Sequence, residues 1–184
     1  MLPTATNPVE KAKQEEFYKV QIRKAWNYSD VQGNDYVDKK EIPYIMRFLL
    51  QYPSEAQVSN IILVQLEEEE PSDFIRYAKF EPYMLNIMMK KEYEPAAPEQ
   101  LHQAFRVLDP QLKGYIDLDV MRELMLHKGI GFRDPQEIDP FLSYAVDKSG
   151  KKIEYEDYIS KKMDEQERHL EGYLKEWEQF NREK

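Results

Sequence analysis

Side chains that carry oxygen recur at short, regular intervals between residues 30 and 41. Four of them stand at positions 1, 5, 9 and 12 of a twelve-residue segment: Asp30, Asn34, Asp38 and Glu41. A hard cation such as calcium takes six to eight oxygens at about 2.3–2.6 Å, and ligands at this spacing can wrap around it. Gln32 is neutral at position 3, and Asp35 stands at position 6, where the turn favours glycine. We therefore expect a solvated polar loop held by its neighbours. The alternative is weak calcium binding, near about 10⁻⁴ M.

The segment is one of four related helix-to-helix connections. Each contains a β-branched residue that precedes a helix start, and these residues lie 38, 41 and 37 positions apart: Val37, Ile75, Ile116 and Ile153. A fixed period of this length is typical of a repeated supersecondary unit. The spacing predicts four helix–loop–helix units in two pairs. Within each pair the loops are expected to join through their central residues, Val37 with Ile75 and Ile116 with Ile153.

The other three loops lack essential ligands. Loop two places Lys79 at position 12, where an ammonium repels a cation. Loop three has Lys113 at position 5 and Val120 at position 12. Loop four is one residue short: position 1 falls on Val146, and Asp147 is the only acid nearby. Each missing carboxylate lowers affinity for a hard cation. No cofactor is expected, apart from weak calcium binding at the first loop.

Apolar residues elsewhere recur mostly at helical spacing, which predicts an all-α fold. We expect two lobes of paired helix–loop–helix units and a helical extension. The proposed segments are a disordered amino terminus (1–8), an N-terminal pair (9–89), a proline-punctuated linker (90–98), a C-terminal pair (99–162) and an amphipathic tail (163–184).

Two groups of apolar residues are candidates for contact with a partner. Met84, Met88, Met121 and Met125 lie on helices that leave loops. Flexible thioethers suit a groove for a partner helix, although core filling explains the same spacing equally well. Leu170 and Trp177 belong to an a/d-like seam in the tail. The tail is expected to dock on a partner, with folding back over its own lobe as the alternative.

Composition excludes several functional classes. The chain has 184 residues, a net charge of −9 and no cysteine. Disulfides, thiolate metal centres and a thiol nucleophile are therefore absent. The acidic total argues against nucleic acid, and no apolar run approaches the roughly 20 residues that span a bilayer. Without a secretory leader, glycine-rich phosphate loop or hydrolase triad, we expect a soluble, intracellular non-enzyme.

Two stretches resemble known proteins. Residues 104–109 followed by Gly114-Tyr115-Ile116 resemble the third EF-hand of the calmodulin and troponin C superfamily. Residues 66–71, with Phe74-Ile75-Arg76-Tyr77, are similar to the calmodulin-like EF-hand subunit (subunit 8) of the nexin–dynein regulatory complex of motile cilia. That similarity extends over about residues 16–160.

The resemblance implies a structural and regulatory subunit of the axonemal cytoskeleton in the cilium or flagellum. Its lobes would grip an IQ-like or coiled-coil helix of other subunits, largely independently of calcium. Two alternatives stay open. One is a calcium sensor acting through Asp30, Asn34, Asp38 and Glu41, and the other is a light chain of a cytosolic motor.

Overall fold

The computed structural model describes residues 7–68, 70, 72–128 and 135–183. Within them the helices are α1 (Pro8–Ser29), α2 (Ile42–Phe48), α3 (Glu55–Gln57), α4 (Leu63–Leu66), α5 (Tyr77–Lys90), α6 (Pro98–Leu108), α7 (Leu118–His127), α8 (Asp139–Ala145) and α9 (Tyr155–Glu183). The strands are β1 (Tyr36–Asp38), β2 (Phe74–Arg76), β3 (Tyr115–Asp117) and β4 (Lys152–Glu154). The predicted disorder at residues 1–8 falls almost entirely outside the described residues. No described helix is both long and apolar enough to cross a bilayer.

The chain divides into two units. The first extends to Pro95 and also contains α9 from Leu174 onward, while the second runs from Ala96 to Tyr173. The boundary after Pro95 lies inside the proposed linker, 90–98. The proposed tail, 163–184, is divided after Tyr173, so its last part is grouped with the first unit.

Local signals in the sequence explain where two of the helices begin. Asn7 precedes α1, and its side-chain oxygen accepts a hydrogen bond from the Glu10 N–H at 2.9 Å. Ser54 opens α3 with a reciprocal capping box, in which it exchanges hydrogen bonds with Gln57 at 2.8 and 3.2 Å. A capping box satisfies amide donors that have no partner inside the first turn. One π-helical turn, Val58–Ile62, separates α3 from α4.

The loops are joined in antiparallel pairs, β1 with β2 and β3 with β4. The register places Val37 opposite Ile75, and Ile116 opposite Ile153, which are the two pairs expected from the sequence. All four side chains are buried. Each short ladder therefore fixes the two loops of one unit side by side.

The first unit has a closely packed core centred on Trp26 of α1. The Trp26 ring lies 5.2 Å from the Phe80 ring and 5.4 Å from the Tyr77 ring, measured between centroids. Further side chains with no exposed area complete this core: Ile22, Ile42, Met46, Ile62, Leu66, Ile75 and Met84.

The second unit is built around a smaller buried cluster. Its buried members include Phe105, Ile116, Leu142 and Ile153. Several apolar side chains that pack against this cluster are only partly buried: Leu101, Leu118, Met125, Phe141, Tyr158 and Met163. Part of the apolar lining of this unit is therefore open to solvent.

Candidate functional site

Loop one is held in shape by Asp30, its first residue. Asp30 is buried, and its carboxylate accepts hydrogen bonds from the Asn34 N–H at 3.1 Å and the Asp35 N–H at 2.8 Å. Asp35 takes the left-handed conformation, with φ of +62°. Aspartate tolerates this conformation better than most residues, so a non-glycine residue is accommodated at the sharp turn. These hydrogen bonds and the turn at Asp35 stabilise the geometry of the loop.

The remaining candidate ligands of loop one also accept hydrogen bonds from the protein. Asn34 Oδ1 accepts from the Tyr36 N–H at 3.2 Å, and Asp38 Oδ1 accepts from the Lys40 N–H at 2.8 Å. Ser29 Oγ donates to Glu41 Oε2 at 3.1 Å. Among the described residues, no three His, Asp or Glu side chains are grouped so that they could hold a metal ion. Calcium ligation by Asp30, Asn34, Asp38 and Glu41 remains a prediction.

In loop two, the ammonium of Lys79 bonds to the loop backbone. Lys79 Nζ donates to the Glu67 carbonyl oxygen. The side chain of Glu67 pairs with Lys39 at 3.0 Å, and Glu68 lies 3.8 Å from Arg76. Position 12 of a calcium loop normally carries a bidentate glutamate. In this chain Lys79 occupies position 12, and its ammonium bonds to the backbone of Glu67, directly before the first loop position.

Loop three is organised by Asp109, which is buried at its first position. Its Oδ2 atom accepts hydrogen bonds from the Gly114 N–H at 2.9 Å and from the Tyr155 hydroxyl at 3.2 Å. Burial pushes the pKa of Asp109 upward, but hydrogen bonds from the Lys113 and Gly114 amides and from Tyr155 outweigh it, so the pKa is lowered. The carboxylate is therefore stabilised in its charged form without a cation.

Loop four uses Asp147 in the same way. Asp147 Oδ1 accepts hydrogen bonds from Ser149 Oγ at 2.8 Å and from the amides of Lys151 and Lys152 at 3.3 and 3.4 Å. Burial opposes these bonds, yet together they lower the pKa of Asp147. The structural role of a first loop residue thus falls on Asp147, whereas counting back from Ile153 in a twelve-residue loop leads to Val146.

The methionines proposed as partner contacts lie in different environments. Met84 has 0% exposed area, Met88 5% and Met121 4%, so these three fill the cores of their units. Met125 is partly buried at the edge of the second-unit cluster. Partner contact by all four remains a prediction, and for the three buried ones it requires their unit to open.

The distal part of α9 contacts α1 within the first unit. The Trp177 ring lies 5.1 Å from the Phe17 ring, and the Phe180 ring lies 5.5 Å from it. Glu176 accepts hydrogen bonds from Gln21 at 2.7 Å and from Lys24 at 2.9 Å. Leu170 is half-buried and belongs to the second unit. The assignment of Leu170 and Trp177 as partner contacts remains a prediction.

Comparison with known proteins places these features in a family. The chain is 37% identical over 139 residues to dynein regulatory complex protein 8 of Mus musculus, which covers 76% of this chain and 84% of the mouse protein. The chain belongs to the dynein regulatory complex protein 8 family. It also matches 44% of the longer Homo sapiens protein of that name, at 36% identity over 65% of this chain. No sequence-family model matches the chain.

Solved structures similar to this member of the dynein regulatory complex protein 8 family identify its fold. The myosin II regulatory domain of Physarum polycephalum matches with a TM-score of 0.60 at 21% identity, over 77% of this chain and 92% of that chain. The protein Mlc1p, bound to IQ2 of the class V myosin Myo2p, matches with a TM-score of 0.56 at 20% identity, over 74% and 92%. The predicted all-α, two-lobed EF-hand fold is confirmed. The two sequence relatives are named as subunits of a dynein regulatory complex.

Sequence reasoning missed the part that α1 plays. Phe17, Gln21 and Lys24 are not among the candidate residues named from the sequence. Phe17, Gln21 and Lys24 lie at spacings of four and three, which place them on one face of a helix. That spacing was the available signal, but it does not say which segment covers the face.

Proposed function

We propose that this chain is a structural and regulatory, calmodulin-like subunit of the axonemal nexin–dynein regulatory complex, and that it supports the control of ciliary motility. The observation that carries this proposal is the 37% identity to the mouse protein over 84% of that protein's length. On this proposal the chain resides on the axoneme of cilia or flagella, among the other subunits of that complex.

The proposed mode of action is the gripping of an IQ-like or coiled-coil helix of another subunit. Support comes from the fold of Mlc1p, which is bound to an IQ segment in its structure. The second unit has apolar side chains that a partner helix can cover, since their burial is incomplete: Leu101, Met125, Phe141, Tyr158 and Met163. Apolar anchors of an amphipathic helix bind grooves lined in this way.

We further propose that gripping is largely independent of calcium. Lys79 links to the start of loop two, and backbone amides bond to Asp109 in loop three and Asp147 in loop four. Because protein donors satisfy these groups, the loops need no cation to keep their shape. Loop one is the remaining candidate for calcium.

Affinity purification of the tagged full-length chain from ciliated cells tests the proposal. Regulatory complex subunits should co-purify in equal amounts in EGTA and in calcium. Met125→Ser should reduce their recovery several-fold, because it removes an accessible apolar contact. Val107→Ser is the matched control, since Val107 is an exposed apolar residue of the same unit outside the cluster.

Three results would contradict the proposal. Recovery only with calcium, together with micromolar calcium binding by calorimetry that Glu41→Ala abolishes, would favour the calcium sensor. Recovery of a cytosolic motor, with proximity labelling away from the axoneme, would favour a motor light chain. Equal loss of partners in Met125→Ser and Val107→Ser would argue against the second-unit groove.

A further inference from the structure

Three aromatic rings join α1 to the last turns of α9 in the first unit. Phe17 contacts both Trp177 and Phe180 edge-on, and the rings of Trp177 and Phe180 stack at 6.2 Å. Phe17 retains 1% of its surface exposed. Edge-to-face and offset aromatic pairs at these distances are attractive beyond the area that they bury. The contact is therefore a packed cluster.

A polar pair flanks this cluster one turn further along α1. The Glu176 carboxylate accepts hydrogen bonds from Lys24 Nζ at 2.9 Å and from Gln21 Nε2 at 2.7 Å. The hydrogen bond from Lys24 lowers the pKa of Glu176. Partial burial opposes this shift, and the hydrogen bond from Gln21 adds to it. The donors Gln21 and Lys24 on α1 are thus complementary to the acceptor Glu176 on α9.

Each set of residues occupies a short stretch of its helix. Phe17, Gln21 and Lys24 form one face of α1, while Glu176, Trp177 and Phe180 lie within two turns of α9. An open surface groove of about 200 Å³ lies beside them.

We propose that the α1 face formed by Phe17, Gln21 and Lys24 is a docking surface whose occupant is residues 176–180 of the same chain. While the segment is docked in cis, the ring faces of Trp177 and Phe180 that contact Phe17 are covered and cannot contact another molecule. Charge complementarity between Lys24 and Glu176 favours this occupant, and covalent connection raises its effective concentration to about the millimolar range. The proposal goes beyond the function proposed above and holds whichever complex the chain joins.

Zero-length cross-linking of the native chain tests the contact directly. A water-soluble carbodiimide activates the Glu176 carboxylate, and the Lys24 amine displaces the activated group. An amide bond forms, and the carboxylate oxygen leaves in the urea by-product. Peptide mass spectrometry should identify a Lys24–Glu176 cross-link. Lys24→Arg, which keeps the charge but lacks the amine, should abolish it.

Isotope mixing separates a contact in cis from one between two copies. Equal amounts of ¹⁴N and ¹⁵N protein are mixed before cross-linking. Docking in cis gives cross-linked peptides that are entirely light or entirely heavy. Mixed-isotope peptides would show that a second copy occupies the surface, and this would overturn the proposal. Failure to form the Lys24–Glu176 cross-link in the folded chain would overturn it as well.

Substitution in the aromatic cluster provides a second readout. Trp177→Ala should lower the yield of the Lys24–Glu176 cross-link by about tenfold, because the packing that holds Glu176 beside Lys24 is lost. Glu178→Gln is the control, since Glu178 is exposed and points about 200° away from Glu176 around the helix. An equal yield in Trp177→Ala would contradict docking through the aromatic rings.

Discussion

Single carboxylates fix the shape of three loops in this chain. Asp30, Asp109 and Asp147 each accept hydrogen bonds from backbone amides four or five residues further on. In a calcium loop the first residue also ligates the ion. Here the amides satisfy these side chains, so the first position keeps a structural role even where the other ligands have been replaced.

Asp109 should make the stability of the second unit depend on pH. Its pKa is lowered in the folded state, so the folded chain binds fewer protons than the unfolded chain near that pKa. The resulting stabilisation is complete above the unfolded pKa of about 3.9 and is lost as the pH falls through the folded pKa. Asp109→Asn should remove this dependence and lower the melting temperature at pH 7 on the order of 5 °C.

Urea unfolding between pH 3 and pH 7 measures the effect of Asp109. Asp164→Asn is a suitable control because Asp164 is an exposed residue of the same unit. If the slope of stability against pH is the same in Asp109→Asn as in the parent chain, the role assigned to Asp109 is wrong.

At the scale of elements, the short strands couple the two loops of each unit. β1 and β2 contribute three residues each, and Val37 and Ile75 meet in the middle of their ladder. The helices that follow, α2 and α5, start directly from these strands or within one turn of them. Pairing of the loops therefore sets the positions of both helices.

Truncating Ile75 should destabilise the first unit strongly. Ile75 has no exposed area, so Ile75→Ala leaves a cavity in the core, at a cost of about 2–5 kcal/mol in the free energy of unfolding. Phe74→Ala is the matched control. The Phe74 side chain is 53% exposed, and it lies on the face of β2 opposite to Ile75. Its effect should stay within about 0.5 kcal/mol.

Chemical denaturation followed by NMR resolves these two variants. The loss in Ile75→Ala should appear in the resonances of the first unit and leave those of the second unit unchanged. Equal destabilisation by Ile75→Ala and Phe74→Ala would contradict the prediction that burial of Ile75 in the ladder stabilises the first unit.

At the scale of the whole molecule, the net charge of −9 is a poor guide to function. An acidic chain of this size suggests a calcium-binding protein. However, Lys79, Lys113 and Lys148 lie in three of the four loops where carboxylates would be needed. The distribution of charge therefore favours the structural role proposed above over a calcium sensor.

Deleting residues 174–184 should destabilise the first unit of the isolated chain. The deletion removes both rings that contact Phe17 and the acceptor for Lys24. Hydrogen exchange of the α1 amides should accelerate, and the melting temperature should fall on the order of 5 °C. Deleting only 181–184 leaves Phe180 in place and serves as the control.

A role for the tail in partner binding alone makes a different prediction for the same deletion. The isolated chain would then keep its α1 protection, and only recovery of the complex would fall. Measuring both properties on one pair of deletions therefore distinguishes docking in cis from docking on a partner.

The sequence by itself determined the repeat, the loop pairs and the loss of ligands. Helical spacing, the central aliphatic residues such as Val37 and Ile116, and Lys79 at a ligand position are local patterns, and local patterns are readable along a chain. The left-handed turn at Asp35 was predictable for the same reason.

Only the tertiary structure decided which apolar residues are covered and by what. The seam containing Trp177 predicts an apolar helix face, but a periodic pattern does not identify the surface that it meets. Gln21 and Glu176 are 155 positions apart, and their contact depends on the path of the whole chain. Met84 is buried and Met125 is only partly buried. This difference likewise depends on how closely each unit packs, because equal spacing along a helix fits both a core and a groove.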